Sequence, residues 1–130
     1  MALGLTNTAT AAESTNEKGN VKVVNDFIAA WNDPDKAVTF LSDDASVRMV
    51  EDKPPVVGPA AVGAAFKGFM SPGTKLAVKV LQTTAEGPVV MNRRIDALTE
   101  AGKPPQAFKV VGVFIVKNGK IKEWADYLDA

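Results

Sequence analysis

Ala107-Phe108-Lys109-Val110-Val111-Gly112-Val113-Phe114-Ile115-Val116, then Lys117-Asn118-Gly119, then Lys120-Ile121-Lys122-Glu123-Trp124-Ala125-Asp126-Tyr127-Leu128, decides the fold. Two apolar-rich runs around an Asn-Gly pair predict a β-hairpin, because that dipeptide accepts the positive backbone angles of a tight turn matched to strand twist. Side chains alternate faces along a strand. Phe108, Val110, Gly112 and Phe114 therefore share one face, and it is more apolar than the opposite one. In the closing run Trp124, Asp126 and Leu128 share a face, which sets a carboxylate between an indole and a leucine. The preceding residues 89–98 read as another strand, bounded by Glu86-Gly87-Pro88 and Gly102-Lys103-Pro104-Pro105, and they place Arg94, Asp96 and Leu98 on one face. Charge on such a face must be paired or functional, since burying an isolated carboxylate is too costly. Residues 76–84 complete a set of four late strands.

Toward the N-terminus the period changes. Val21, Val23, Val24, Phe27, Ile28 and Trp31 fall at helical spacing over residues 21–31, and Asn32-Asp33-Pro34 stops the run. Asp33 with Pro34 behind it opens a short second helix through Ala37, Val38, Phe40 and Leu41. Residues 45–50 read as a strand with Val47 and Met49 on one face and Arg48 on the other. Residues 58–70 follow as a third helix with Val62, Phe66, Phe69 and Met70 on one side; its glycines weaken it by about 1 kcal/mol each, so packing must hold it. Helices first and hairpin-linked strands after them predict an α+β fold: a strongly bent, mixed or antiparallel sheet wrapped over three N-terminal helices and enclosing a cone-shaped apolar pocket. Residues 1–20 read as a flexible tail and 21–130 as a single domain.

Composition narrows the chemistry. The 130 residues suffice for one core and no second domain. Fifteen basic and fifteen acidic side chains cancel, which leaves no electrostatic footprint for nucleic acid or an anionic membrane. A small apolar molecule is the expected partner. The chain has no cysteine, so disulfides, thiolate metal sites and a thiol nucleophile are excluded. It also has no histidine, which removes histidine-based triads and the commonest zinc sites. An acid or base working near neutral pH must then be a carboxylate, a lysine or a tyrosine with a shifted pKa. No cofactor or metal is expected. No apolar run approaches the roughly 20 residues that span a bilayer, and the start lacks the pattern of a secretion signal, so the expected location is cytoplasmic.

The order of elements, with Phe27-Ile28-Ala29-Ala30-Trp31 followed by Leu41-Ser42-Asp43-Asp44-Ala45, resembles the nuclear transport factor 2-like cone fold. Within that superfamily, Arg94-Ile95-Asp96 with Leu98, Gly112-Val113-Phe114, and Gly119-Lys120-Ile121 through Trp124-Ala125-Asp126-Tyr127 resemble limonene-1,2-epoxide hydrolase. The resemblance implies an Asp-Arg-Asp site that opens an epoxide in one step without a covalent intermediate. Asp96 would be the protonated general acid, Asp126 the ionised general base that activates water, and Arg94 the bridge between them. Two neighbouring carboxyls in an apolar pocket resist ionising together, which suits that division. In the family a tyrosine and an asparagine on the first strand also hold the water; Val47 and Met49 stand at the aligned positions. Neither can orient a water, so Asp126 would work alone or with a backbone carbonyl.

The pocket wall is expected from Ile28 and Trp31 of the first helix, Val47 and Met49 of the first strand, and Phe66 and Phe69 of the third helix. Leu98, Phe108, Val110, Trp124 and Leu128 complete it from the late strands. Tyr127 should face away from Asp126, and Arg93 and Lys122 should be outward charges. Arg94 with Asp96 could alternatively form a cross-strand ion pair on the outer face, a common arrangement on half-solvated sheets; the matching setting of Asp126 counts against it. Two other functions stay open beside hydrolysis: an isomerase or cyclase that moves a proton with one aspartate, and a non-catalytic binder of small apolar ligands. An apolar outer sheet face would be covered by a second copy, making a homodimer.

Overall fold

The computed structural model describes residues 14–70 and 72–129. Its first element, α1 (Thr15–Ala29), begins six residues earlier than the apolar periodicity marks. The reason is a capping box: the Glu17 amide donates to the Ser14 hydroxyl at 3.1 Å, and the Ser14 amide donates back to the Glu17 carboxylate at 2.8 Å. Glu17 also accepts from the Gly87 amide at 2.8 Å, and the Asn20 side chain donates to the Gly87 carbonyl at 3.1 Å, which pins the first turn to a distant hairpin. This turn is polar, so apolar spacing could not reveal it. The tail expected over residues 1–20 is thus helix from Thr15 onward, and residues 1–13 lie outside those described.

After α1 comes α2 (Pro34–Ala37), with Asp33 at its N-cap position, and a 3-10 turn over Val38–Phe40. Leu41, expected at the end of the second helix, is already strand: β1 (Leu41–Arg48) begins four residues before the strand expected over residues 45–50. A two-residue strand not foreseen, β2 (Val56–Val57), pairs with it. Gly58, at φ 90°, then turns the chain into α3 (Pro59–Phe69), and its amide donates to the Ala45 carbonyl at 2.8 Å. Four long strands follow, β3 (Lys75–Glu86), β4 (Val89–Thr99), β5 (Gln106–Lys117) and β6 (Lys120–Leu128). Asn118 and Gly119, both at positive φ, make the last turn, as the dipeptide requires.

The strands form one sheet in the order β2-β1-β6-β5-β4-β3. All neighbours are antiparallel except β1 and β6, which run parallel, so the sheet is mixed. A parallel neighbour needs a long connection, and residues 49–119 supply it. Register shifts between Val80 and Gln82 and between Ile115 and Val116 mark bulges that help the sheet bend. Across the concave side lie α1 and α3. Trp124 is the centre of the packing there: it stacks on Trp31 at 5.1 Å and Phe114 at 5.8 Å, meets Phe27 edge-on at 5.3 Å, and lies 6.0 Å from Phe66. Such pairs add about 0.5–1.5 kcal/mol each beyond area burial. Among the described residues no helix is long and apolar enough to cross a membrane.

Ser14 is exposed and its bonds in the capping box are local, so their contribution can be isolated. Ser14→Ala is expected to lower stability by about 1 kcal/mol in denaturant unfolding. Amide exchange should speed up in the first turn of α1 and leave β5 and β6 unchanged.

Candidate active site

Alternation on β4 sends Asn92, Arg94, Asp96 and Leu98 to the concave side, and pairing brings β5 and β6 alongside in a fixed order. Asn92 pairs with Gly112 and Gly112 with Asp126; one step along, Arg94 pairs with Val110 and Val110 with Leu128. Arg94 and Asp126 are therefore separated by one strand and lie on adjacent rows, within reach of a long side chain. The ion pair is internal, and the outer-face alternative is excluded: Arg94 is 1% exposed and Asp96 is 9% exposed.

The Arg94 guanidinium is held on several sides. Nε donates to Asp96 Oδ1 at 3.1 Å and Nη2 to Asp96 Oδ2 at 2.9 Å, a two-pronged bond. Nη2 also donates to Asp126 Oδ2 at 2.8 Å, and Nη1 to Asn92 Oδ1 at 2.9 Å. The guanidinium carbon lies 5.0 Å from the centroid of the Trp31 ring, a cation–π distance. The other oxygen of Asp126 accepts from Trp124 Nε1 at 2.7 Å. The indole that anchors the core thus also orients a carboxylate.

Electrostatics follow from burial and these partners. Burial pushes the Asp126 carboxyl above its ordinary value; the Arg94 charge and hydrogen bond and the Trp124 hydrogen bond pull it back, while the Asp96 charge adds to the rise. Arg94 is disfavoured as a cation by burial, yet the Asp96 hydrogen bond and the Asp126 charge outweigh this and raise its pKa. Two carboxyls share one cation, so full ionisation leaves one uncompensated negative charge against an apolar wall.

That wall encloses a cavity of about 740 Å³. Of the expected contacts, Trp31, Met49, Phe66, Phe69, Leu98, Phe108, Val110, Trp124 and Leu128 line it, together with Asp96 and Asp126. Two expected contacts do not. Ile28 is 7% exposed and Val47 is fully buried, and both pack in the core cluster with Phe27, so neither reaches the cavity. Sharing a face with Met49 does not open Val47 to the pocket, because the helices fill the space above that end of β1. Additional lining comes from Val50, Glu51, Asp52, Met70, Leu76 and Tyr127. Loop 49–55 enters because the Leu128 amide donates to Glu51 Oε1 at 2.7 Å, a long-range bond that periodicity cannot reveal. Asn92 was also missed, although two-residue spacing from Arg94 could have found it. Arg93 pairs outward with Asp129 at 3.1 Å and Lys122 with Asp44 at 2.7 Å. Among the described residues no group of acidic side chains could hold a metal ion.

An α+β cone whose concave side carries an acid–arginine–acid cluster at an apolar cavity defines a class: domains of the nuclear transport factor 2-like cone fold with an Asp-Arg-Asp site. Residues 18–130 match the family model of the limonene-1,2-epoxide hydrolase catalytic domain, and the chain belongs to that family. It is similar to the solved structure of an LEH-like epoxide hydrolase from M. tuberculosis, with 29% identity, a TM-score of 0.77, and coverage of 87% of this chain and 84% of that one. It also shares its fold with a putative polyketide cyclase from Xanthomonas campestris pv. campestris, at 20% identity and TM-score 0.75, with 88% of this chain and 93% of that one covered.

The raised Asp126 pKa has a consequence for stability. A carboxyl that holds its proton more tightly when folded stabilises the fold most at low pH, and this benefit is lost as pH rises through the folded pKa. Asparagine is neutral throughout and escapes the loss. Asp126→Asn is therefore expected to melt at a higher temperature than the parent at pH 7, with the gap closing as pH falls through the raised folded pKa and gone by the ordinary carboxyl value of about 4. A variant less stable than the parent at pH 7 would contradict this.

Proposed function

We propose that the protein hydrolyses an apolar epoxide to a vicinal diol in one acid/base step. The observation that carries this reading is Nη2 of Arg94 donating to Asp96 at 2.9 Å and to Asp126 at 2.8 Å, with both carboxyls at the wall of an apolar cavity. Asp96, as the neutral acid, gives its proton to the epoxide oxygen as the ring C–O bond breaks. Asp126, as the ionised base, takes a proton from the water whose oxygen forms the new C–O bond. The two transfers must coincide, because an alkoxide leaving group needs its proton as water attacks. Burial favours this use of Asp126, since a carboxylate with a raised pKa is a stronger base than one in water. One proton passed from Asp126 back to Asp96 through cavity water resets the site. The substrate is bound by apolar surface from Trp31, Phe66, Phe69 and Phe108, and no cofactor takes part.

Asp96→Asn and Asp126→Asn are each expected to lower diol formation by about 10²–10⁴-fold, the size of a general acid or base contribution, while circular dichroism stays that of the parent. Turnover of a panel of small epoxides by the parent and both variants checks this.

A second reading rests on one observation. Met49 lines the cavity and Val47 is buried in the core, so β1 offers no polar side chain to hold a water there. An isomerase or cyclase that moves a proton without water fits that surface. Turnover in water labelled with heavy oxygen separates the readings, since hydrolysis alone places the label in product.

We also propose a homodimer formed through the convex side of the sheet. Alternation puts Met91, Ile95, Val111, Val113, Ile115 and Ala125 there, an apolar band in which Met91 is 42% exposed. Light scattering is expected to give twice 13.7 kDa, and Val113→Lys to give the monomer. A parent mass equal to the monomer would rule this out.

A further inference from the structure

Gly112 and Asn92 stand outside the cavity lining, yet both touch the Arg94 guanidinium. On the concave side the paired row runs Thr83, Asn92, Gly112, Asp126 across β3, β4, β5 and β6. Arg94 starts one row away, on β4, and must cross β5 to reach Asp126 on β6. Any side chain on β5 at that crossing would stand in its path. Gly112 has none: a Cβ there would collide with Arg94 Nη1, come within 2.8 Å of Asn92 Oδ1, and approach Phe114 Cε1 to 2.9 Å. The guanidinium therefore lies low over the sheet, with Gly112 beneath it and Trp31 5.0 Å away.

Asn92 closes the remaining side. Its Oδ1 accepts from Nη1 at 2.9 Å, opposite the Asp96 fork, while its Nδ2 is buried without a partner. What this side chain contributes to the site is its oxygen. Being neutral, it anchors the cation without adding a third negative charge. The balance of one arginine to two carboxyls, on which sharing a proton depends, is preserved.

We infer that Asn92 and Gly112 are positioning residues that form a socket for Arg94, fixing the one guanidinium orientation that reaches Asp96 and Asp126 together. The inference rests on the Asp-Arg-Asp reading above and deepens it. Neither residue touches substrate, so the socket acts through Arg94 alone. Displacing a reacting group by about 1 Å costs on the order of 100-fold in rate.

The variants are Asn92→Leu, which keeps size and removes the acceptor, Asn92→Asp, which keeps the acceptor and adds charge, and Gly112→Ala. Two readouts are taken: steady-state turnover of a small epoxide, and the Arg94 Nε–H resonance in nitrogen-15 NMR, whose solvent exchange reports how firmly the guanidinium is held. Asn92→Leu is expected to lower kcat by about 100-fold with KM unchanged, and to speed Nε–H exchange. In Asn92→Asp the Nε–H exchange should stay as in the parent, while the added negative charge disfavours ionisation of Asp126 and moves the acidic limb of the pH profile upward. The charged groups bearing on that limb are Asp96 and Arg94 from β4 and Asp126 from β6, with Glu51 and Asp52 at the cavity wall. Gly112→Ala should resemble Asn92→Leu; if it fails to fold, Asn92→Leu decides alone. Parental kcat and parental Nε–H exchange in Asn92→Leu would overturn the socket. If the parent opens no epoxide, the exchange measurement still decides the socket, so the two readings fail separately.

Discussion

A guanidinium 1% exposed to solvent is the constraint around which this domain is arranged. Removing such a charge from water costs several kcal/mol even after relaxation, and breaking a buried pair by deleting one partner costs about 3–5 kcal/mol. Arg94 is tolerated because its donors meet Asp96 twice, Asp126 once and Asn92 once. A lysine could not replace it: a single ammonium offers no planar fork, and it could not span Asp96 and Asp126 while reaching back toward Asn92. The pairing of β4, β5 and β6 is what puts these partners around one point. A slip of one residue in β6 would turn Asp126 to the convex side and remove one of the acceptors of the buried guanidinium.

The apolar framework serves the same centre. Trp124 packs on Phe27, Trp31, Phe66 and Phe114, and its Nε1 donates to Asp126. Its partner Trp31 stacks on it and covers Arg94. Core packing and the orientation of ionisable groups are thereby the same interaction, so the Asp126 carboxyl is held by a side chain of the hydrophobic core. Preorganisation of this kind is what acid/base chemistry in an apolar cavity would need, because the groups do not have to reorient as charge moves.

The late strands and their turns were legible because each carries a local signal. The Asn118-Gly119 turn, the alternation in residues 107–116, and the glycine and proline punctuation around residues 87 and 102 all report on neighbours in sequence. Asp126 and the Arg94–Asp96 pair stood out for the same reason, as charges on apolar faces. The start of α1 was hidden because Ser14 and Glu17 build it from polar caps, and β2 because two residues carry no period. The parallel partnership of β1 with β6 depends on a connection across residues 49–119, which no window of sequence contains. Ile28 and Val47 were placed at the cavity because alternation gives a direction and not a depth. Asn92 had the right spacing, but a neutral amide beside two arginines gives no sign of being out of place.

Charge balance links the site to its setting. The whole chain is neutral, with fifteen charges of each sign, whereas the site holds two carboxyls against one cation. Arg94 can fully compensate only one of them. Asp96 takes both prongs of the fork, and Asp126 is left with a single bond from Nη2 and the neutral indole donor Trp124. Each donor pulls the Asp126 pKa down, and burial overrides them. Asp126 is therefore the less compensated carboxyl, and burial raises its pKa. Trp31, Phe66, Phe108 and Val110 line the same cavity as Asp126, so the apolar surface that would admit an apolar substrate also buries this carboxyl.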